Sequence, residues 1–140
     1  MNKLWILFGF LSAFFAALVA IFGKIGVKDI DTTLATTVRA LIMALFLVLV
    51  SLSLNKFALF NQINSKALLF IILSGISGAL SWLAYFFALK LGEVKGVAVL
   101  DRFSVVLAII LAALILGETI TIKNWLGIAL ITAGLLLFVL

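Results

Sequence analysis

Three ionisable residues lie inside long apolar runs and carry most of the chemistry the sequence offers: Arg39, Asp101 and Arg102. A charge within a membrane-spanning segment is costly, faces protein or water, and marks a candidate functional site. Arg39 and Asp101 each lie roughly 7–10 Å into their segments at about 1.5 Å per residue. Both segments start on the same side of the membrane, so Asp101 and Arg39 are predicted to sit at similar depth and to be able to pair. Asp101 and Arg102 are sequence neighbours pointing about 100° apart on a helix, and they are expected to pair poorly with each other. Two readings stand: an ion pair that fixes helix packing, or a gate or binding element for a polar or charged substrate, with Asp101 able to carry a proton. Lys24 lies on the same side, as a further entrance residue or as a headgroup contact. Trp82 and Tyr85 are the aromatic candidates. Trp82 reads as a ligand-stacking wall or as lipid-facing filler, and Tyr85 as an interhelical hydrogen bonder or a cavity wall.

Other chemistry is excluded by residue type. Histidine and cysteine are both absent, which removes the commonest general base, thiolate ligands and any disulfide. The chain has no paired carboxylates and no Gly-rich phosphate loop, and nothing in it forms a nucleophile, base and orienter set. No enzyme activity, cofactor or metal is expected. The first segment lacks a carboxylate, which argues against a small multidrug antiporter built around a first-helix glutamate. The net charge is +5 and the pI about 9.9. The basic residues are spread singly, which suits helix ends near anionic headgroups rather than nucleic acid.

The elements that position these residues follow from composition. The chain has 140 residues, of which 67% are hydrophobic and 11% charged, with a mean hydropathy of +1.48. Soluble domains are about 45–50% apolar and about 25% charged, so a soluble globule is excluded. A spanning helix needs roughly 20 apolar residues, and polar breaks divide the chain into five such runs: 4–22, 34–54, 67–89, 97–116 and 123–140. The predicted fold is an all-α integral membrane protein with one domain, 1–140. The first run follows Lys3 as a signal peptide would, but it is too long and lacks a cleavage site, so it reads as a retained helix. Proline is absent, so no proline kink is expected. Ser65 is a candidate N-cap, 90–96 a turn, and Glu118 a loop residue or a first-turn charge of the last helix.

Close helix packing in lipid calls for small residues on the contact face. Such stripes occur at Gly9, Ser12, Ala16, Ala20 and Gly23, at Ser74, Gly78, Ser81 and Tyr85, at Asp101, Ser104, Ala108 and Ala112, and at Gly127 and Gly134. Trp5 and Trp125 suit an aromatic belt. The loop lysines are balanced: Lys3, Lys56, Lys66 and Lys123 on one side, Lys24, Lys28, Lys90 and Lys95 on the other. Adding the embedded Arg39 and Arg102 to the second side makes six against four, a weak preference for an outside N-terminus, so the orientational bias is small. This near balance favours dual topology and an antiparallel homodimer, since many transporters place their site between inverted halves.

The stretches "SGALSWLAYFFALKLGEVKGVAVL" and "LAALILGETITIKNWLGIALITAGLLL" resemble the later part of an EamA domain of the drug/metabolite transporter superfamily. The matching phrases are the aromatic pair and Ala88-Leu89 around Tyr85, the Leu116-Gly117-Glu118 turn, and Gly127 with Ala133-Gly134. Gly23-Lys24 and Arg39-Ala40 are similar to family positions in the looser front part. The resemblance covers essentially the whole chain and is closest to the single-unit bacterial and archaeal branch. Where many larger relatives have Ser-Pro, this chain has Asp101-Arg102. The resemblance implies a plasma-membrane carrier or exporter of a small metabolite or drug-like solute, with lipids and a second copy as partners. The alternative is a non-transporting accessory subunit or lipid-interacting scaffold.

Overall fold

A computed structural model describes residues 3–139. Among the described residues there is no strand; the chain runs α1 (Leu4–Gly26), α2 (Thr32–Ser53), a 3₁₀ helix (Lys56–Gln62), α3 (Ser65–Leu91), α4 (Val94–Asp101), α5 (Phe103–Leu116) and α6 (Ile122–Val139). Leu4–Gly26, Thr32–Ser53, Ser65–Leu91 and the combined Val94–Leu116 are long and apolar enough to cross a membrane, and Ile122–Phe138 is a shorter apolar helix. The 18 residues of α6 extend about 27 Å at 1.5 Å each, close to the ~30 Å hydrocarbon core.

Helix starts are set by short polar side chains that accept the otherwise unpaired N–H groups of a first turn. The Asp31 carboxylate accepts from the Leu34 N–H at 2.9 Å and begins α2. The Asn64 side-chain oxygen accepts from the Ala67 N–H at 2.8 Å, so Asn64, rather than the expected Ser65, caps α3. The Thr121 hydroxyl accepts from the Asn124 N–H at 3.3 Å and begins α6.

The chain divides into two units, one ending at Leu91 and one beginning at Gly92. In the first unit, α1 and α2 each pack on α3. Its buried residues are Ala20, Gly23, Val27, Thr32, Thr36, Phe86 and Leu89. All lie in the C-terminal half of α1 and its following residue, the first turns of α2, or the last turns of α3. By contrast, residues 4–15, 41–50 and 68–77 are exposed throughout. The unit therefore closes at one end and leaves apolar faces uncovered at the other.

Gly23 explains the closed end. A Cβ there would lie 3.3 Å from both Leu89 Cδ1 and Phe86 Cζ, so any side chain would push these two back by a few tenths of an ångström at the closest approach of α1 to α3. The expected α1 stripe packs only through Ala20 and Gly23. At Gly9, Gly78, Gly127 and Gly134 a Cβ would meet nothing within 4 Å. The small-residue faces predicted there for packing are therefore unfilled within their own units.

In the second unit, α4 and α5 each pack on α6, with Val97, Val106 and Ile128 buried. The run expected as one helix over 97–116 is interrupted at Arg102. The Arg102 N–H bonds to the Val99 carbonyl, and the Val105 N–H to the Arg102 carbonyl, each at 3.0 Å. That three-residue spacing is a 3₁₀-type tightening. The expected turn at 90–96 shrinks to Gly92 and Glu93, and Gly96 lies inside α4.

Candidate functional site

Arg39 lies seven positions after Thr32, about 10 Å into α2. Its Cζ sits 3.6 Å from the centroid of the Trp82 ring on α3, and 5.6 Å from that of Phe86. A guanidinium over an indole gains from the ring's negative face, most strongly where water is scarce. Trp82 in turn meets Tyr85 edge-on at 5.5 Å and Phe86 at 5.8 Å between centroids. The helical spacing of 82, 85 and 86 puts the three rings on one face of α3. The Trp82 ring thus faces the Arg39 guanidinium.

Beside this cluster, α1 and α2 enclose a groove of about 640 Å³. Val19, Phe22, Ile42, Met43 and Phe86 form much of its apolar lining, and Arg39 is its charged lining residue. A mostly apolar concavity with one placed polar group is the usual form of a small-molecule site. Thr32 and Thr36 are the buried polar residues recorded for α2. The Thr36 hydroxyl donates to the Thr32 carbonyl at 2.7 Å, which satisfies it inside the helix.

Lys24 lies at the closed end, where its ammonium donates to the Leu89 carbonyl in the last turn of α3. Lys90 donates across to the Ile30 carbonyl at 2.8 Å. These bonds tie α1 to α3 and α3 to the α1–α2 connection, and cations at a helix C-terminus also complement its dipole. The expected entrance residue thus has a structural task as well.

Asp101 and Arg102 occupy the interruption between α4 and α5. Their side chains approach to 3.9 Å, with Arg102 49% and Asp101 38% exposed. Poor pairing was expected from the 100° offset of neighbours; the long, flexible arginine stem spans that offset at the edge of ion-pair distance. Arg39 belongs to the first unit and Asp101 to the second. Gly117 ends α5 in the left-handed region at φ +71°, with its N–H returned to the Ala112 carbonyl. Glu118 follows in the loop, and the first turn of α6 contains no acidic residue. This sets aside its reading as a helix charge. Gly127 is half-buried and Gly134 exposed on α6.

Phe86 is the site residue that sequence reasoning missed. It joins the groove, the aromatic cluster and the Gly23 contact. The signal was its place in the Tyr85-Phe86-Phe87 run, one turn after Trp82.

The model of the EamA-like transporter family matches residues 3–140. The chain belongs to the EamA-like transporter family. A Sinorhizobium protein described as an uncharacterized transporter in the cobO 3′ region is 41% identical over 137 residues, covering 98% of this chain and 97% of that protein. No solved structure matches the chain. Family and relative together support a multi-pass membrane transporter.

Proposed function

We propose that the protein carries a small organic metabolite or drug-like solute across the plasma membrane by alternating access, as a homodimer. The observation that carries this reading is Arg39 held over Trp82 at the edge of the 640 Å³ groove. An arginine in a spanning helix is costly, by roughly 2.5–3.5 kcal/mol on insertion scales. A groove that holds one gains a directed donor for a polar or charged solute group. Asp101 and Arg102 form a second charged element, placed where the fourth span is interrupted. Transporters commonly place binding groups at such discontinuities.

A second copy is favoured by the uncovered apolar faces and by Gly9, Gly127 and Gly134, which have no neighbour within 4 Å of a Cβ position. The even lysine count favours an inverted copy. Uptake into proteoliposomes, run with a panel of amino acids, sugars and cationic dyes, tests transport. Saturable uptake of one panel member that Arg39→Gln reduces at least tenfold supports the reading. A folded protein that moves none of them, yet copurifies with another membrane protein, establishes the scaffold role instead. Reporter fusions at the C-terminus that show a single orientation rule out the inverted dimer.

A further inference from the structure

Lys24, Lys28 and Lys90 close a pocket of about 540 Å³ together with Ile25 and Val27. It lies at the C-terminal ends of α1 and α3, away from the groove-lining face of α1 that carries Val19, Phe22 and Gly26. Neither Asp29 nor Asp31 lines it, and the Asp31 carboxylate is engaged in capping α2. Two of the three ammonium groups are anchored: Lys24 on the Leu89 carbonyl and Lys90 on the Ile30 carbonyl. Surface lysines ordinarily lose much rotamer freedom when they bind an anion; these two are already positioned. An ammonium has three donors, so the single carbonyl bond of Lys90 holds the group without exhausting it. Ile25, on the same wall, is 69% exposed and offers an apolar flank at the level where a spanning helix leaves the hydrocarbon.

We propose that this pocket binds a phosphate group, that of an anionic phospholipid at the membrane interface. The three cations match the oxyanion, and the apolar flank matches the start of the acyl chains. Basic pockets between spanning helices bind phospholipid headgroups by this combination. The pocket shares no lining residue with the solute groove, and Lys28 touches neither tie, so loss of transport and loss of lipid binding are measured separately.

Native mass spectrometry of the purified full chain in neutral detergent tests it, titrating phosphatidylglycerol, phosphatidylcholine and inorganic phosphate. The Lys28 side chain makes no hydrogen bond among the described residues, so its variants leave the helix ties intact. Phosphatidylglycerol should bind saturably and phosphatidylcholine should not. Lys28→Gln should weaken phosphatidylglycerol about fivefold, and Lys28→Glu should weaken it further. Equal binding of the two lipids overturns the proposal, as does wild-type affinity in Lys28→Glu. Inorganic phosphate that displaces the lipid supports the oxyanion site and shows that the free ion also enters it. Binding of inorganic phosphate with no binding of phosphatidylglycerol overturns the lipid assignment.

Discussion

The Arg39 guanidinium and the Trp82 indole form the closer of two cation–aromatic contacts between α2 and α3, at 3.6 Å from Cζ to ring centroid against 5.6 Å for Phe86. It holds a charge in an apolar groove by a partner that carries none. Such contacts contribute from about 0.5 to about 2 kcal/mol as water is withdrawn. Trp82→Phe keeps an aromatic face and is expected to retain transport. Trp82→Leu should lower the uptake rate about tenfold, with Arg39→Lys intermediate because a point charge replaces the planar group. Initial uptake rates in proteoliposomes, normalised to folded protein, check the order.

Gly23 sets the distance between α1 and α3. Phe86 and Leu89, which a Cβ would meet at 3.3 Å, are themselves buried at 4% and 0% exposure, so a larger side chain must displace both. Gly23→Val is expected to destabilise by about 1–3 kcal/mol through overpacking. Gly9→Val, with open space at its Cβ, should change the unfolding of an isolated monomer little. Thermal unfolding of both variants in detergent provides the comparison.

The sequence disclosed the architecture because apolar length is a local property. Runs separated by Lys, Asn, Gln and Gly located the spanning segments, with ends displaced by a few residues where Asn64 or Thr121 did the capping. The interruption at Arg102 was hidden: with no proline, a purely apolar count sees one run. The partner of Arg39 was hidden for a different reason. Charge arithmetic searches for an opposite charge, whereas Trp82 attracts the guanidinium through its ring and leaves no charge signature. Arg39 itself, Trp82 and Tyr85 were all legible as candidates from their positions inside apolar runs. Their joint placement needed the packing of α2 on α3.

Gly117 is required by backbone geometry rather than by space. A Cβ there would meet nothing within 4 Å, yet φ is +71°. A side-chain-bearing residue in the left-handed region costs roughly 1–2 kcal/mol. Gly117→Ala should lower stability by about 1 kcal/mol, and Gly117→Asn by less, since asparagine tolerates this conformation. Chemical denaturation in detergent, compared with Gly134→Ala as a control outside the turn, resolves the difference.

Asp101 and Arg102 allow a sharper separation of charge from fold. Their 3.9 Å approach leaves both side chains partly exposed, and exposed pairs contribute little to stability, about 0–1 kcal/mol. The interruption between α4 and α5 rests on backbone bonds of the Val99 and Arg102 carbonyls, which a side-chain change preserves. Asp101→Asn is therefore expected to fold with wild-type helicity and thermal stability while losing most of its transport. Arg102→Gln should show the same division. If Asp101→Asn and Arg39→Ala both fold and transport at the wild-type rate, these charges serve packing alone. Circular dichroism and uptake measured on the same preparations distinguish the two outcomes.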